Sequence, residues 1–101
     1  MLTKKTPDTF ATNLTIVSFG EPVKLAVVYN NIAPETLDAE AKAANRAFTD
    51  DEMLLKVVNS WDAEYELTHA EIAQLQRDRP GLVYAVIQGF FRGRLAALQK
   101  N

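Results

Sequence analysis

The sequence predicts an α+β fold in which an N-terminal β-hairpin packs on a bundle of about four α-helices. Three observations lead there. Residues 14–30 repeat their apolar side chains with the period of a strand, the pattern changes to helical spacing after Pro34, and Thr49–Glu52 and Thr68–Glu71 have the spacing that caps helix starts. At 101 residues and 48% hydrophobic, the chain has the size of a single domain with one modest core. The expected division is an N-terminal arm over 1–13, the hairpin over 14–30 and a helical part over 35–101.

In the hairpin, Leu14, Ile16 and Ser18 alternate with Thr15, Val17 and Phe19, and Val23, Leu25, Val27 and Tyr29 alternate with Lys24, Ala26 and Val28. Gly20 supplies a positive φ between the runs and Pro22 holds Glu21 extended, so the chain turns there. An isolated hairpin is marginal in water, so one face must lie on helices. The second run is rather apolar on both faces, which leaves its other face for a partner.

Pro34 suits a helix start, and Glu35 and Asp38 favour its positive end. Leu37, Ala41, Ala44 and Phe48 give this helix only a thin apolar stripe, which predicts a place on the outside of the core. The Thr49 capping box opens a second helix whose Met53, Leu54, Val57, Val58 and Trp61 are expected on one buried face, with Tyr65 four residues beyond Trp61. Thr68 and Glu71 open a short third helix carrying Ile72 and Leu75, with the chain's one histidine, His69, in its first turn, and Arg79-Pro80-Gly81 ends it. The last segment carries Val83, Val86, Ile87, Phe90, Phe91, Arg94, Leu95 and Leu98 at broad helical spacing. Gly89 and Gly93 each cost about 1 kcal/mol relative to alanine within a helix, so their presence predicts close packing against another backbone, in a tertiary or inter-chain contact along that face. Trp61, Val57, Ile87 and Phe90 are the expected core anchors. Adjacent Phe90 and Phe91 point about 100° apart, so Phe91 and Tyr65 are the aromatics best placed to meet a partner, with Arg92 and Arg94 flanking Phe91.

The net charge of −2 masks a segregated distribution. Residues 1–34 carry +1, residues 35–71 carry −7 and residues 72–101 carry +4, so the acidic middle and basic end can attract each other within one molecule or between copies. With five spread cations in the last third, a nucleic-acid footprint is weak. No segment approaches the roughly 20 apolar residues that span a bilayer, and the start of the chain lacks a signal-peptide pattern, so a soluble, unprocessed protein is expected. The absence of cysteine excludes a disulfide framework, a thiolate metal site and a cysteine nucleophile, and fits a reducing compartment.

Catalytic, cofactor and metal residues are all expected to be absent. His69 has neither a second histidine nor a cysteine to complete a metal shell, and its neighbours Thr68 and Glu71 serve the helix cap. The acids Asp50, Asp51, Glu52, Asp62, Glu64, Glu66 and Glu71 lack the glycine-bearing spacing of a calcium loop and read as a solvated or partner-facing surface. Phosphate-binding glycine loops and the G-x-S-x-G elbow are missing too.

In order, the hairpin "LTIVSFGEPVKLAVVYNNIAPE", the stretch "DDEMLLKVVNSWDAEYELTHAEIAQL" and the close "RPGLVYAVIQGFFRGRLAALQKN" resemble the small tail assembly chaperones of tailed bacteriophages and prophages. The likeness runs from about Leu14 and rests on the order and spacing of "VVNSWD", the "LT.AEIAQL" helix, the Pro-Gly break and the "GFF" helix. The resemblance implies a non-enzymatic assembly factor of the host cytoplasm, absent from the mature virion. Its implied partners are the long helical tape-measure protein, which it keeps soluble, and the tail-tube protein, which it helps recruit; such chaperones also tend to self-associate. Neither nucleic acid nor membrane is an implied partner. Two other readings stay open: a structural head or tail component or other interaction module, and a small DNA-associated regulator using Arg77, Arg79, Arg92 and Arg94.

Overall fold

A computed structural model describes residues 2–99, and the side chains of residues 2–97. Leu98 of the expected apolar stripe and the closing Lys100 and Asn101 lie outside that description. The architecture is α+β, a three-stranded antiparallel sheet of order β1-β2-β3 covered on one face by helices. The elements are β1 (Thr9–Ser18), β2 (Glu21–Asn30), α1 (Pro34–Ala43), α2 (Asp50–Val57), β3 (Val58–Trp61), α3 (His69–Asp78) and α4 (Leu82–Gln99).

β1 and β2 pair without a break from Ser18–Glu21 to Thr9–Asn30. The turn between them is two residues long, with Phe19 at φ 51° and Gly20 at φ 79°, the positive-φ pair that matches the twist of a tight hairpin. Pro22 is tolerated because its nitrogen faces away from β1, along a part of β2 that β3 does not reach. The first strand begins at Thr9 rather than Leu14, so part of the expected N-terminal arm is sheet. Phe10 explains the extension, since its ring packs 5.3 Å from Tyr29 and 5.8 Å from Phe90.

The region expected to be wholly helical contains the third strand. α2 stops at Val57 and the chain turns extended at Val58, so Trp61 stands opposite Val27 on β3 and is not on a helix face. Two β-branched valines followed by Asn59 and Ser60 weaken the helix, and the free edge of β2 from Val27 to Tyr29 offers the hydrogen bonds that replace it. The register shifts between Val28 and Tyr29, leaving Asn59 as the extra residue, and its side chain donates to Asn30 Oδ1 at 3.0 Å. Trp61 is half-buried, and its indole N–H donates to the Tyr65 carbonyl at 2.9 Å, so the two are linked through a loop rather than by sharing a helix face.

The core is built from one face of the sheet, Leu25, Val27 and Tyr29, together with Leu54, Val57 and Val58, Ile72 and Leu75, and the inner side of α4 from Leu82 to Phe90. α4 packs along β1 and against α2 and α3. α1 contributes only Leu37 as a buried residue, in keeping with its thin stripe.

The helix starts follow their capping signals with one exception. At Thr49 both halves of the box form: the hydroxyl accepts from the Glu52 N–H at 3.3 Å and the Glu52 carboxylate accepts from the Thr49 N–H at 3.1 Å. At Thr68 only the first half forms, the Glu71 N–H bond at 3.2 Å. The Thr68 N–H is already taken by the Glu66 carbonyl at 2.9 Å, and the Glu71 carboxylate accepts instead from the Glu66 N–H.

Candidate functional site

The two glycines of α4 fix how its inner side meets the sheet. A Cβ at Gly89 would stand 2.8 Å from Leu14 Cδ2 and 2.8 Å from the Tyr29 hydroxyl, and one at Gly93 would stand 2.6 Å from Thr12 Oγ1. The glycines do admit a close approach within the chain, but to side chains of the hairpin and not to another backbone as expected, because Leu14, Tyr29 and Thr12 reach up from the sheet. With that side consumed, the outer side of the helix carries three apolar residues around Gln88. Successive residues turn by about 100°, so Tyr84, Phe91 and Leu95, spaced by seven and four, share one line along the outer side. Tyr84 is 58% and Leu95 57% exposed, while half-buried Phe91 leans edge-on against Phe90 at 5.1 Å. An α-helix of a solvated surface normally keeps polar residues there, so this line is the feature of α4 that packing within the chain does not explain.

The residues singled out from the sequence are dispersed. Phe90 and Val57 are fully buried and Ile87 nearly so, whereas Trp61 is half-buried at the end of the sheet. Of Tyr65, Phe91, Arg92 and Arg94, only Phe91 belongs to the outer line of α4. Tyr65 lines a cleft with Leu25, Leu75 and Leu82, and its hydroxyl donates to Asp78 Oδ2 at 2.6 Å. That bond raises the Tyr65 pKa and lowers that of Asp78, to which Gln74 also donates. Arg92 lines a groove with Ile16, Val17 and Ala96 beside β1. Arg94 lines a third, mostly apolar cleft with Phe10, Ile32 and Ala97, and its Nε donates to Asn31 Oδ1 at 3.0 Å. Tyr84 and Leu95 complete that line, although helical spacing alone sets Leu95 with the packed apolar residues. Their spacing from Phe91 was visible, but a helix apolar on two sides does not reveal which side the sheet covers.

His69 is exposed as the first residue of α3. Among the described residues no group of three or more His, Cys, Asp or Glu side chains could hold a metal ion. The carboxylate with the most developed surroundings is Glu52, which receives both Arg46 nitrogens at 2.7 and 2.6 Å as well as the Thr49 N–H, and is thereby engaged in holding the start of α2. The arginines that would serve a nucleic-acid reading are mostly engaged: Arg77 with Gln74, Arg79 with Ser18 and Arg94 with Asn31. No described helix is long and apolar enough to cross a membrane.

The exposed Tyr84 and Leu95 on α4 give the chain an apolar surface on which a contact could form. No curated protein and no solved structure matches the chain. The family model for phage tail assembly chaperones matches residues 21–101, which takes in β2, β3 and all four helices, and the chain belongs to that family.

Proposed function

We propose that this protein is a non-enzymatic chaperone that binds the tape-measure protein during tail assembly in the host cytoplasm. It keeps that protein soluble, helps recruit tail-tube subunits, associates with copies of itself, and is absent from the finished virion. The observation that carries this reading is the outer line of α4. Tyr84, Phe91 and Leu95 span about three turns, the length over which an amphipathic helix lays its own apolar residues against a partner. A tape-measure protein is a long helical chain whose apolar stripes have no tail tube around them before assembly, so covering such stripes is what keeps it in solution. Aromatic residues suit the task because they supply large contact areas with little conformational entropy to lose.

Co-expression with the tape-measure protein of the same genome, followed by co-purification and light scattering, tests the reading. The expected result is a soluble complex with several copies of this chain per tape-measure chain. A tape-measure protein that stays insoluble while this chain purifies alone would overturn it, and recovery of the chain in purified virions would indicate a structural tail component instead.

A further inference from the structure

Among the described residues, the outer edge of β1 pairs with no other strand. In a hairpin closed by a two-residue turn, Ser18 and Glu21 form a hydrogen-bonded pair, and every second residue of β1 then directs its backbone at β2. The bond from the Asn31 N–H to the Asp8 carbonyl, 2.8 Å, continues this phase one step past the ladder. Ala11, Asn13, Thr15 and Val17 therefore direct their N–H and C=O groups away from β2, and among the described residues no other element pairs with them.

Long edges are ordinarily guarded by lysine, proline or a bulge, because they template the addition of another strand. β1, TFATNLTIVS, has no charged residue and no proline, and its register is unbroken. The opposite edge of the sheet is guarded. β3 is four residues long, is bulged at Asn59, and gives way to Asp62, whose carboxylate accepts the Ala26 N–H at 2.9 Å. One edge is thus closed to a further strand and the other is left open.

We propose, resting on the self-association proposed above, that the open edge of β1 is its interface and pairs antiparallel with β1 of a second copy of this chain, joining two three-stranded sheets across a two-fold axis. A two-fold axis sets a surface against itself, so charge near the axis repels its own image. β1 has none to repel. With the axis at Leu14, Val17, 74% exposed, stands opposite Ala11 of the second copy, and Thr15 stands opposite Asn13, so a large side chain meets a small one and a polar one meets a polar one. The outward N–H and C=O groups of all four residues are then satisfied in both copies. The groove beside this edge, between Ile16 and Val17 of β1 and Ala85 and Ala96 of α4, receives side chains from the facing strand. Arg92 is the one charged residue lining it, and it is exposed, so its long side chain can turn out to solvent. Because the second edge of each sheet is guarded, the pairing closes as a dimer and does not propagate.

Sedimentation of the purified chain, alone and over a wide concentration range, tests this pairing independently of any tape-measure binding. The wild-type chain is expected to reach twice its 11.3 kDa mass. Thr15→Lys and Val17→Lys should each weaken the dimer by about tenfold or more with far-UV circular dichroism unchanged. Thr15→Pro removes an outward N–H without breaking a β1–β2 bond and should act likewise. The chain has no cysteine of its own, so the register can be read by cross-linking: Ala11→Cys mixed with Val17→Cys should form the mixed disulfide faster than either forms its own. A monomer at every concentration, an assembly indifferent to both lysine substitutions, or self-disulfides dominating the mixture would each overturn the pairing. Loss of tape-measure binding in the lysine variants without any self-association of the wild type would give the edge to a strand of the partner and overturn it too.

Discussion

The Tyr29 hydroxyl donates to the Val86 carbonyl at 2.7 Å, tying the middle strand of the sheet to the inner side of α4 across 57 residues of sequence. The Tyr29 side chain is fully buried, and its ring lies 5.3 Å from Phe10 and 5.7 Å from Phe90. A buried hydroxyl without a partner would be costly, so this bond lets an otherwise apolar cluster contain a tyrosine at all.

Tyr29→Phe removes the donor and keeps the ring. Equilibrium denaturation should show a loss of about 1 kcal/mol, since the Val86 carbonyl retains its helical environment. The same substitution should alter the alkaline limb. Burial holds the Tyr29 hydroxyl above its ordinary pKa of 10.0, so above that pH the unfolded chain loses a proton that the folded chain keeps. Stability present below pH 10 therefore falls as pH rises past it, by at most about 1.4 kcal/mol per pH unit for one group. The fall should be shallower in Tyr29→Phe, with the remainder including Tyr65, whose pKa its bond to Asp78 also raises.

Gly89→Ala should be destabilising although alanine is the better helix former. The gain of about 1 kcal/mol from propensity is outweighed because the new Cβ meets both Leu14 and the Tyr29 hydroxyl, and the hydroxyl is held by Val86. A net loss of about 1–2 kcal/mol is expected in urea unfolding. At Gly93 the nearest atom is the Thr12 hydroxyl, which a rotation about χ1 moves aside, and the half-buried Phe10 ring at 3.2 Å needs to shift only slightly, so Gly93→Ala should stay within about 1 kcal/mol of the parent.

Glu52 links the acid limb to the start of α2. Its carboxylate is held down to about 2 by the Arg46 guanidinium first and the Thr49 N–H second. The stabilisation is complete above the ordinary value of 4.5 and is lost as pH falls from there towards 2. Glu52→Gln removes the ion pair with Arg46 and the titrating group, while its amide oxygen can still accept the Thr49 N–H. Thermal melts should show a lower Tm at neutral pH and a smaller fall across this window, with the residual fall including Asp78, whose pKa is lowered by Tyr65 and Gln74.

The hairpin, the class of fold and the close approach at Gly89 were legible because each is written locally: strand alternation around Gly20, capping residues at Thr49 and Thr68, and glycines costly unless packed. β3 was not. Val57, Val58 and Trp61 fit a helical stripe as well as an extended segment, and what decides between them is the unpaired edge of β2 from Val27 to Tyr29, contributed by residues about 30 positions away. The exposed side of α4 was hidden for a similar reason. Both sides of that helix are apolar in sequence, and only the position of β1 against Gly89 and Gly93 shows that Tyr84 and Leu95 are the residues left outside.

Substitutions at those two residues test the proposed contact apart from folding. Leu95 is 57% and Tyr84 58% exposed, so Leu95→Ser and Tyr84→Ser should change stability by no more than about 0.5 kcal/mol. Phe91 is half-buried against the core residue Phe90, and Phe91→Ala should cost both stability and binding. If tape-measure helices lie along this line, the double substitution at 84 and 95 should weaken co-purification by about tenfold or more while the melting curve stays at the parental temperature. Full recovery of the complex by the double variant would place the contact elsewhere. The three clefts lined by Tyr65, Arg92 and Arg94 would then be the surfaces to substitute next, one at a time, because they are separate in the fold.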